Sequence, residues 1–439
     1  TPIKSSAASD VYKRQGENKM YATQTNTLKG LSKEAYEAIA EMCRYANNLY
    51  NVGLYNIRQY YFQEKQFLTY ESNYHACKEN ENYALLQAGI AQQILRVVDR
   101  SFKSFFNLVK KANNGEYRFQ DIKIPHYRKK GGMFVLVLQK NAISIRNGNL
   151  KLPMSYAFKH QHEGLKVEIP FPNRIDPSTI KEVRILPCDF SGRYFKIQYV
   201  YTVQAEPKSL NEDNALGIDI GVDNLATCVP TNGTPFILNG RGIKSINHRW
   251  NKERARLQSI ADKQGIKGGK TKRIYRITEK RNNQVKDAIR KAARYIVDYC
   301  ILNDIGTIIV GYNKDFKRSV NIGRANNQTF TNIPFGDLRS TIKNLCERYE
   351  IQYIEQEESY TSKSSFLDND VLPEYNPEQP YKGKFSGKRI YRGLYQSANG
   401  TKINADVNGA ANILRKANRF DSSILCQGFL ANPQRIRLA

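Results

Sequence analysis

The chain has 439 residues, enough for two or three domains, and 68 Lys and Arg against 41 Asp and Glu give it a net charge of +27. Such a charge is self-repulsive unless the partner is a polyanion, so nucleic acid is the first candidate partner. No run of about 18 apolar residues and no basic-then-apolar signal peptide occurs, which argues for a soluble protein with no membrane partner.

Seven cysteines (Cys43, Cys77, Cys188, Cys228, Cys300, Cys346 and Cys426) are scattered, odd in number and nowhere spaced CxxC. That pattern spells neither a disulfide framework nor a zinc ribbon, and it suits a reducing, cytoplasmic compartment. Residues 1–19 are set aside as a non-native or disordered leader, because SSAASDVYKRQ reads like translated adaptor sequence.

A short strand from Met20 opens the chain. Ser32 then caps a helix whose Ile39, Met42, Cys43, Ala46 and Leu49 share one face. A second periodic run sets Ile90, Ile94, Val97, Val98, Phe102, Phe105 and Val109 alike, so 31–115 is expected to be a helical domain. Tyr45, Tyr50, Tyr55, Tyr60 and Tyr61 interleave with Arg44, Arg58 and Lys65, a mixture that serves either base stacking with phosphate contact or ordinary core packing. From 116 to 213 apolar and polar residues alternate, with hairpin turns at Asn147-Gly148 and Ser191-Gly192. The expectation is an antiparallel β-barrel built from 20–30 and 116–213, with the helical region inserted in it.

From about Asn214 the pattern becomes α/β. Leu216–Ile220 is apolar on both faces, as a central strand covered by helices would be, yet it carries Asp219. A carboxylate there is costly unless it meets a cation. Between 241 and 300 there are 18 Lys and Arg against 5 Asp and Glu, on what reads as two helices joined by GIKGGK. Val285, Ile289, Ala292, Ala293 and Ile296 give the second helix a packing face and leave the other for phosphate. Further strands at Ile305–Val310 and Ile351–Ile354, a helix at Asp337–Tyr349 and a closing helix at Asp406–Lys416 complete a mixed sheet.

Asp219, an acid near residue 358 and Asp406 thus fall where an RNase H-like nuclease keeps its carboxylates. Phosphodiester hydrolysis by two Mg²⁺ ions about 4 Å apart needs such hard oxygen ligands, and few of them, because water and phosphate complete each octahedron.

GIDIGVDNLATC, ESYTSK and NADVNGAANIL resemble the three RuvC motifs of the TnpB family, transposon-associated RNA-guided nucleases related to compact type V CRISPR effectors and to Fanzor proteins. The likeness runs from Met20 along nearly the whole chain. It implies an α+β multidomain protein: a β-barrel wedge at 20–30 and 116–213, a helical recognition domain at 31–115, and a RuvC domain at 214–439. Within RuvC it implies basic helices at 241–303 and a target-nucleic-acid-binding insertion at about 361–400. It further implies a guide RNA with a structured scaffold, a double-stranded DNA target beside a short flanking motif, and cutting with Mg²⁺, for which Mn²⁺ can substitute.

Two departures stand out. Most relatives carry the middle acid where this chain has Gly311; the resemblance to Fanzors and a TnpB subset moves it to Glu358, with Glu357 the alternative and Glu355 an edge charge. Ser365 and Asp368 stand where relatives keep a first cysteine pair, and no cysteine lies between Cys346 and Cys426, so no zinc is expected. Asp368 and Asp370 are instead expected to pair with Lys388, Arg389 and Arg392. Candidate phosphate contacts are Lys363 with Thr361 and Ser362, together with Arg254, Arg281, Arg290, Arg294 and Arg392. The rival expectations are an RNA-guided repressor with an inert site, and a recombinase working without RNA.

Overall fold

The computed structural model describes residues 19–188, 195–266, 271–313, 332–376, 378–418, 430 and 432–437. The leader up to residue 18, the Ser191-Gly192 turn, most of the GIKGGK joint and Cys426 lie outside them. The chain separates into two compact units between Gln204 and Ala205. That is earlier than the expected boundary at 213, because Glu206 N and Lys208 N already donate to Arg348 O (2.7 Å) and Tyr349 O (3.3 Å) of the second unit.

The first unit runs β1 (Lys19–Thr27), α1 (Lys33–Glu64), α2 (Tyr70–Cys77), α3 (Glu81–Ala84), α4 (Ala88–Asn113), β2 (Leu136–Gln139), β3 (Ser144–Arg146), β4 (Asn149–Lys151), α5 (Tyr156–Gln161), β5 (Glu168–Pro170), β6 (Ile180–Pro187) and β7 (Phe195–Gln204). Ser32 caps α1 by accepting from Ala35 N at 3.2 Å. The expected stripe of Ile39, Met42, Cys43, Ala46 and Leu49 is fully buried. β1 pairs antiparallel with β7 from Lys19↔Gln204 to Thr27↔Lys196, within a sheet ordered β1-β7-β6-β2.

A second sheet, β3-β4-β5, is separate, so among the described residues the strands form two open sheets and not the single closed barrel expected. Helices α1 and α4 pack against β2, the sheet's far edge strand, and one continuous core joins helices and strands. The helices thus cover the β2 edge, while Phe171, just after β5, packs on Tyr199 of β7 with ring centroids 5.2 Å apart. Most of the tyrosine face is core as well. Tyr50 is buried on Phe134, Tyr45 and Tyr61 pack on Phe158 and Phe106, and Tyr55 alone of the five is more exposed than buried.

The second unit runs β8 (Ala215–Asp219), β9 (Asn224–Pro230), β10 (Phe236–Asn239), α6 (Arg241–Lys263), α7 (Lys272–Leu302), β11 (Thr307–Tyr312), α8 (Phe335–Tyr349), β12 (Gln352–Glu357), β13 (Lys388–Tyr391), β14 (Leu394–Gln396), β15 (Lys402–Asn404), α9 (Ala405–Lys416) and β16 (Gln434–Ile436). Its main sheet is ordered β12-β11-β8-β9-β10-β16, parallel across β12-β11-β8 and antiparallel across β8-β9-β10. Leu216 and Ile218 face a core shared with α7 and α8, while Ala215 faces one shared with α9, so β8 is apolar on both sides as its sequence requires. Strands β13-β14-β15 form a small sheet of their own just before α9.

Candidate active site

Asp219 ends β8. Ile218 pairs with Val310, so Gly311 is the next step on the neighbouring strand, and Gly311 in turn pairs with Gln356. Glu358 follows the end of β12 and folds back over Gly311: a Cβ at residue 311 would lie 2.7 Å from Glu358 Oε2 and 2.6 Å from Ile413 Cδ1. Glycine leaves room for that carboxylate, and a larger residue would require the Glu358 and Ile413 side chains to shift. Asp406 sits in the first turn of α9, where Asn404 caps by accepting from Asp406 N (3.0 Å) and Val407 N (3.2 Å). One turn on, a Cβ at Gly409 would meet Asp219 Oδ2 at 2.7 Å. Two glycines therefore let a strand end, a loop and a helix bring their acids together.

The electrostatics reflect that convergence. Burial, then Asp406 and Glu358, push the Asp219 carboxyl well above its usual range, with Arg389 opposing. Burial and then Glu357 raise Glu358, with Arg339 opposing. Neither carboxylate accepts a hydrogen bond from any described residue. Asp406 does: Asn224 Nδ2 donates at 2.7 Å and Arg389 Nη2 lies 3.3 Å away.

Glu357 faces a different task. It accepts from Ser359 N (2.6 Å) and from Lys416 Nζ (2.5 Å), whose side chain is only 7 % exposed and also donates to Ser359 O and Pro373 O. Burial would raise Glu357, but Lys416 and Ser359 outweigh it and hold the carboxyl low. Glu355, half exposed on the sheet's edge strand, meets Tyr353 Oη (3.1 Å) and Arg339 (3.9 Å).

Residues that sequence reasoning missed hold the Glu358 loop. Asn412 Nδ2 donates to Thr361 O (2.9 Å) and Ser364 O (2.7 Å); Asn408 donates to Ser364 O (2.8 Å) and accepts from Phe366 N (3.0 Å). Both asparagines are fully buried. The available signal was two amides four residues apart on the small-residue face of α9. Across the ladder from Asp219, Thr227 buries a hydroxyl that has no partner among the described residues.

The phosphate candidates divide. Thr361 is buried and its hydroxyl donates to Glu358 O at 2.8 Å, so it closes a turn. Lys363 is exposed and lines a cavity of about 580 Å³ with Ser362, Tyr360, Tyr381, Phe385 and Arg389. Arg254, over the Trp250 ring, and Arg290 are exposed on the basic helices. Arg281 is spent inside, donating to Asn247, Asn282 and Asn332 O, and Arg294 is held by Asp298 and the Tyr349 hydroxyl. Arg392 pairs with Asp223 at 3.0 Å.

The expected pairing of Asp368 and Asp370 with Lys388, Arg389 and Arg392 is not what forms. Asp370 accepts from Ser365 N (2.8 Å), Ser386 N (3.0 Å) and Ser386 Oγ (2.5 Å); Asp368 accepts from Ser365 Oγ (2.5 Å) and Ala398 N (2.8 Å). Amides and hydroxyls answer these carboxylates, which frees the arginines for Asp406 and Asp223.

A divalent cation suits the donor set at Asp219 and Glu358, two half-buried oxygen ligands without hydrogen-bond donors. Among the described residues, however, no three His, Cys, Asp or Glu side chains are grouped to hold a metal ion.

Comparison with known proteins gives consistent matches. The family model OrfB_IS605, a probable transposase, matches residues 198–317, and the Cas12f1-like TNB domain matches 335–413. A TnpB-like protein, ORF457 of Acidianus two-tailed virus, is 22 % identical over 396 residues, covering 84 % of this chain and 81 % of its own. Among solved structures, the protein of a Cas12f1–sgRNA–target DNA complex aligns at TM-score 0.58 with 17 % identity, covering 87 % of this chain and 83 % of that one. The mini-RNA-guided endonuclease CRISPR-Cas_phi3 aligns at 0.51 with 10 % identity, covering 97 % and 98 %. At such identities these structural likenesses establish the fold.

Proposed function

Because this chain is a TnpB family protein, we propose that it is an RNA-guided DNA endonuclease, cutting double-stranded DNA that pairs with a bound guide RNA beside a short flanking motif. The observation that carries this reading is Glu358 Oε2 lying over Gly311 at the end of the strand beside Asp219. In this reading Glu358 stands in for the acid that relatives are expected to carry at the position of Gly311.

Asp219, Glu358 and Asp406 would hold Mg²⁺, or Mn²⁺ in its stead. Bound there, two such ions would supply an activated water and stabilise the leaving oxygen. The chain's own residues do the rest. Asn408 and Asn412 fix the loop that carries Glu358, and Asn404 fixes the turn that carries Asp406. Exposed Lys363 and Ser362 offer a cation and a hydroxyl to a neighbouring phosphate. Arg254 and Arg290 offer charge to the guide or the heteroduplex. Sequence choice is then delegated to base pairing, in a prokaryotic cytoplasm and on nucleoid DNA.

A second reading, an RNA-guided repressor with an inert site, draws on the lack of a ready-grouped metal set among the described residues. The two separate in one experiment. The protein is purified with its native locus, the co-purifying RNA is sequenced, and its guide is matched to a plasmid target with Mg²⁺ present. Cutting by the native protein and binding without cutting by Glu358→Gln is the expected result. Binding without cutting by both favours the repressor, and no discrete RNA overturns guiding altogether. The RNA's variable end also decides between a transposon and a CRISPR source.

A further inference from the structure

The β13–β14 hairpin lays two arginines on acids from two other segments. Arg389, on β13, reaches Asp406 at 3.3 Å; Arg392, at the turn, reaches Asp223 at 3.0 Å, and Asp223 is also held by Lys244 at 2.6 Å. The base of the hairpin is tied down. Ser386 is bonded twice to Asp370, and Tyr395 Oη donates to Lys363 O at 2.8 Å. The arginine heads are not, since their side chains are 40 % and 80 % exposed.

We propose, building on the nuclease reading, that Arg389 is the resident counter-ion of the acid centre. It holds Asp406 while no nucleic acid is bound and gives it up when a phosphate reaches the hairpin. A guanidinium stays charged at any working pH, so at Asp406 it competes directly with a divalent cation. An exposed ion pair of this kind contributes only about 0–1 kcal/mol. A phosphate, which a guanidinium grips with two parallel hydrogen bonds, is a better partner and can draw it away. The exchange needs side-chain rotation alone, because the hairpin's root is fixed. It also accounts for a buried Asp219 that feels Asp406 and Glu358 although no metal-ligand group forms among the described residues. The nucleic-acid-free protein would thus be a poor metal binder, which restrains cutting until a strand arrives.

The test is Mn²⁺ binding to the full-length, nucleic-acid-free protein, followed by electron paramagnetic resonance of the free ion. Arg389→Gln and Arg389→Met are each expected to bind Mn²⁺ about fivefold more tightly than the native chain, the factor that an exposed pair is worth. Adding Asp219→Asn to Arg389→Gln is expected to erase the gain. Unchanged or weaker binding in both single variants overturns the proposal, and so does a gain that survives Asp219→Asn. A native protein that cuts its target while neither variant gains Mn²⁺ affinity sinks the counter-ion alone. Variants that gain affinity in a protein that never cuts sink the nuclease reading alone.

Discussion

Two pairs of carboxylates in the second unit are treated in opposite ways. Asp368 and Asp370, in the small insert, are saturated: between them they accept from Ser365 N and Oγ, Ser386 N and Oγ, and Ala398 N. Asp219 and Glu358, at the end of the main sheet, accept from no described residue and are raised by burial and by their acidic neighbours. A satisfied buried acid stabilises, because it quenches donors that would otherwise be orphaned. An unsatisfied one costs stability until a cation arrives. The first pair therefore reads as scaffold, in the place where relatives are expected to carry zinc, and the second as a site.

The largest effect should come from Asp219→Asn. Removing a carboxylate that would stabilise several kcal/mol of transition-state charge is expected to slow plasmid cutting by roughly a thousandfold. The same change should stabilise the metal-free protein, because the raised carboxyl contributes stability only at low pH and loses it as pH rises through its folded value. About 1 kcal/mol of relief corresponds to a rise in Tm of roughly 2–4 °C for a unit of this size. A thermal melt beside a cleavage assay reads both. A variant that cuts normally, or that melts lower, would erase the distinction between the two pairs.

Asp370→Ala should do the reverse. It leaves the N–H of buried Ser365 without its acceptor, at a cost of about 1–3 kcal/mol. Tm should fall while cutting at low temperature persists, and a zinc chelator should leave the Tm of the native protein unchanged. Loss of cutting with an unaltered melt would mean that the insert's acids belong to the chemistry after all.

Much of this contrast was legible in the sequence. An acid ending a strand that is apolar on both faces marks Asp219, and the stripes of α1 and α7 mark the helices that cover the cores. The proposed exchange of Gly311 for Glu358 rests on family resemblance, since nothing local in the sequence says which of the acids between 355 and 358 folds back. What stayed hidden was partner choice. Asp368 and Asp370 were matched to nearby arginines because charge is written in the sequence, whereas their real donors are mostly backbone amides, which every residue has. Arg281 looked like a phosphate contact for the same reason, and two of its partners, Asn247 and Asn332 O, lie far along the chain. The two sheets seen among the described residues in place of one barrel were not legible either, because strand alternation tells which face is apolar and not which strands will pair.

The smallest effect, and the sharpest, lies between adjacent residues. Glu357 is paired with buried Lys416 and held low; Glu358 has no ion-pair partner among the described residues and is raised. From the same ordinary value of 4.5, their contributions to stability must run in opposite directions. That of Glu357 is present above 4.5 and is lost as pH falls through its depressed folded value; that of Glu358 is present below 4.5 and is lost as pH rises through its elevated one. In metal-free melts across acidic pH, Glu357→Gln should remove part of the acid-side loss of stability and lower Tm near neutrality, at a cost of about 1 kcal/mol for weakening a charge-assisted pair. Glu358→Gln should flatten the decline above 4.5 and raise Tm near neutrality. Cutting should survive Glu357→Gln within a few-fold. If it is Glu357→Gln that abolishes cutting, then the paired carboxylate leaves Lys416 during turnover, and the acid that replaces the one missing at Gly311 is Glu357.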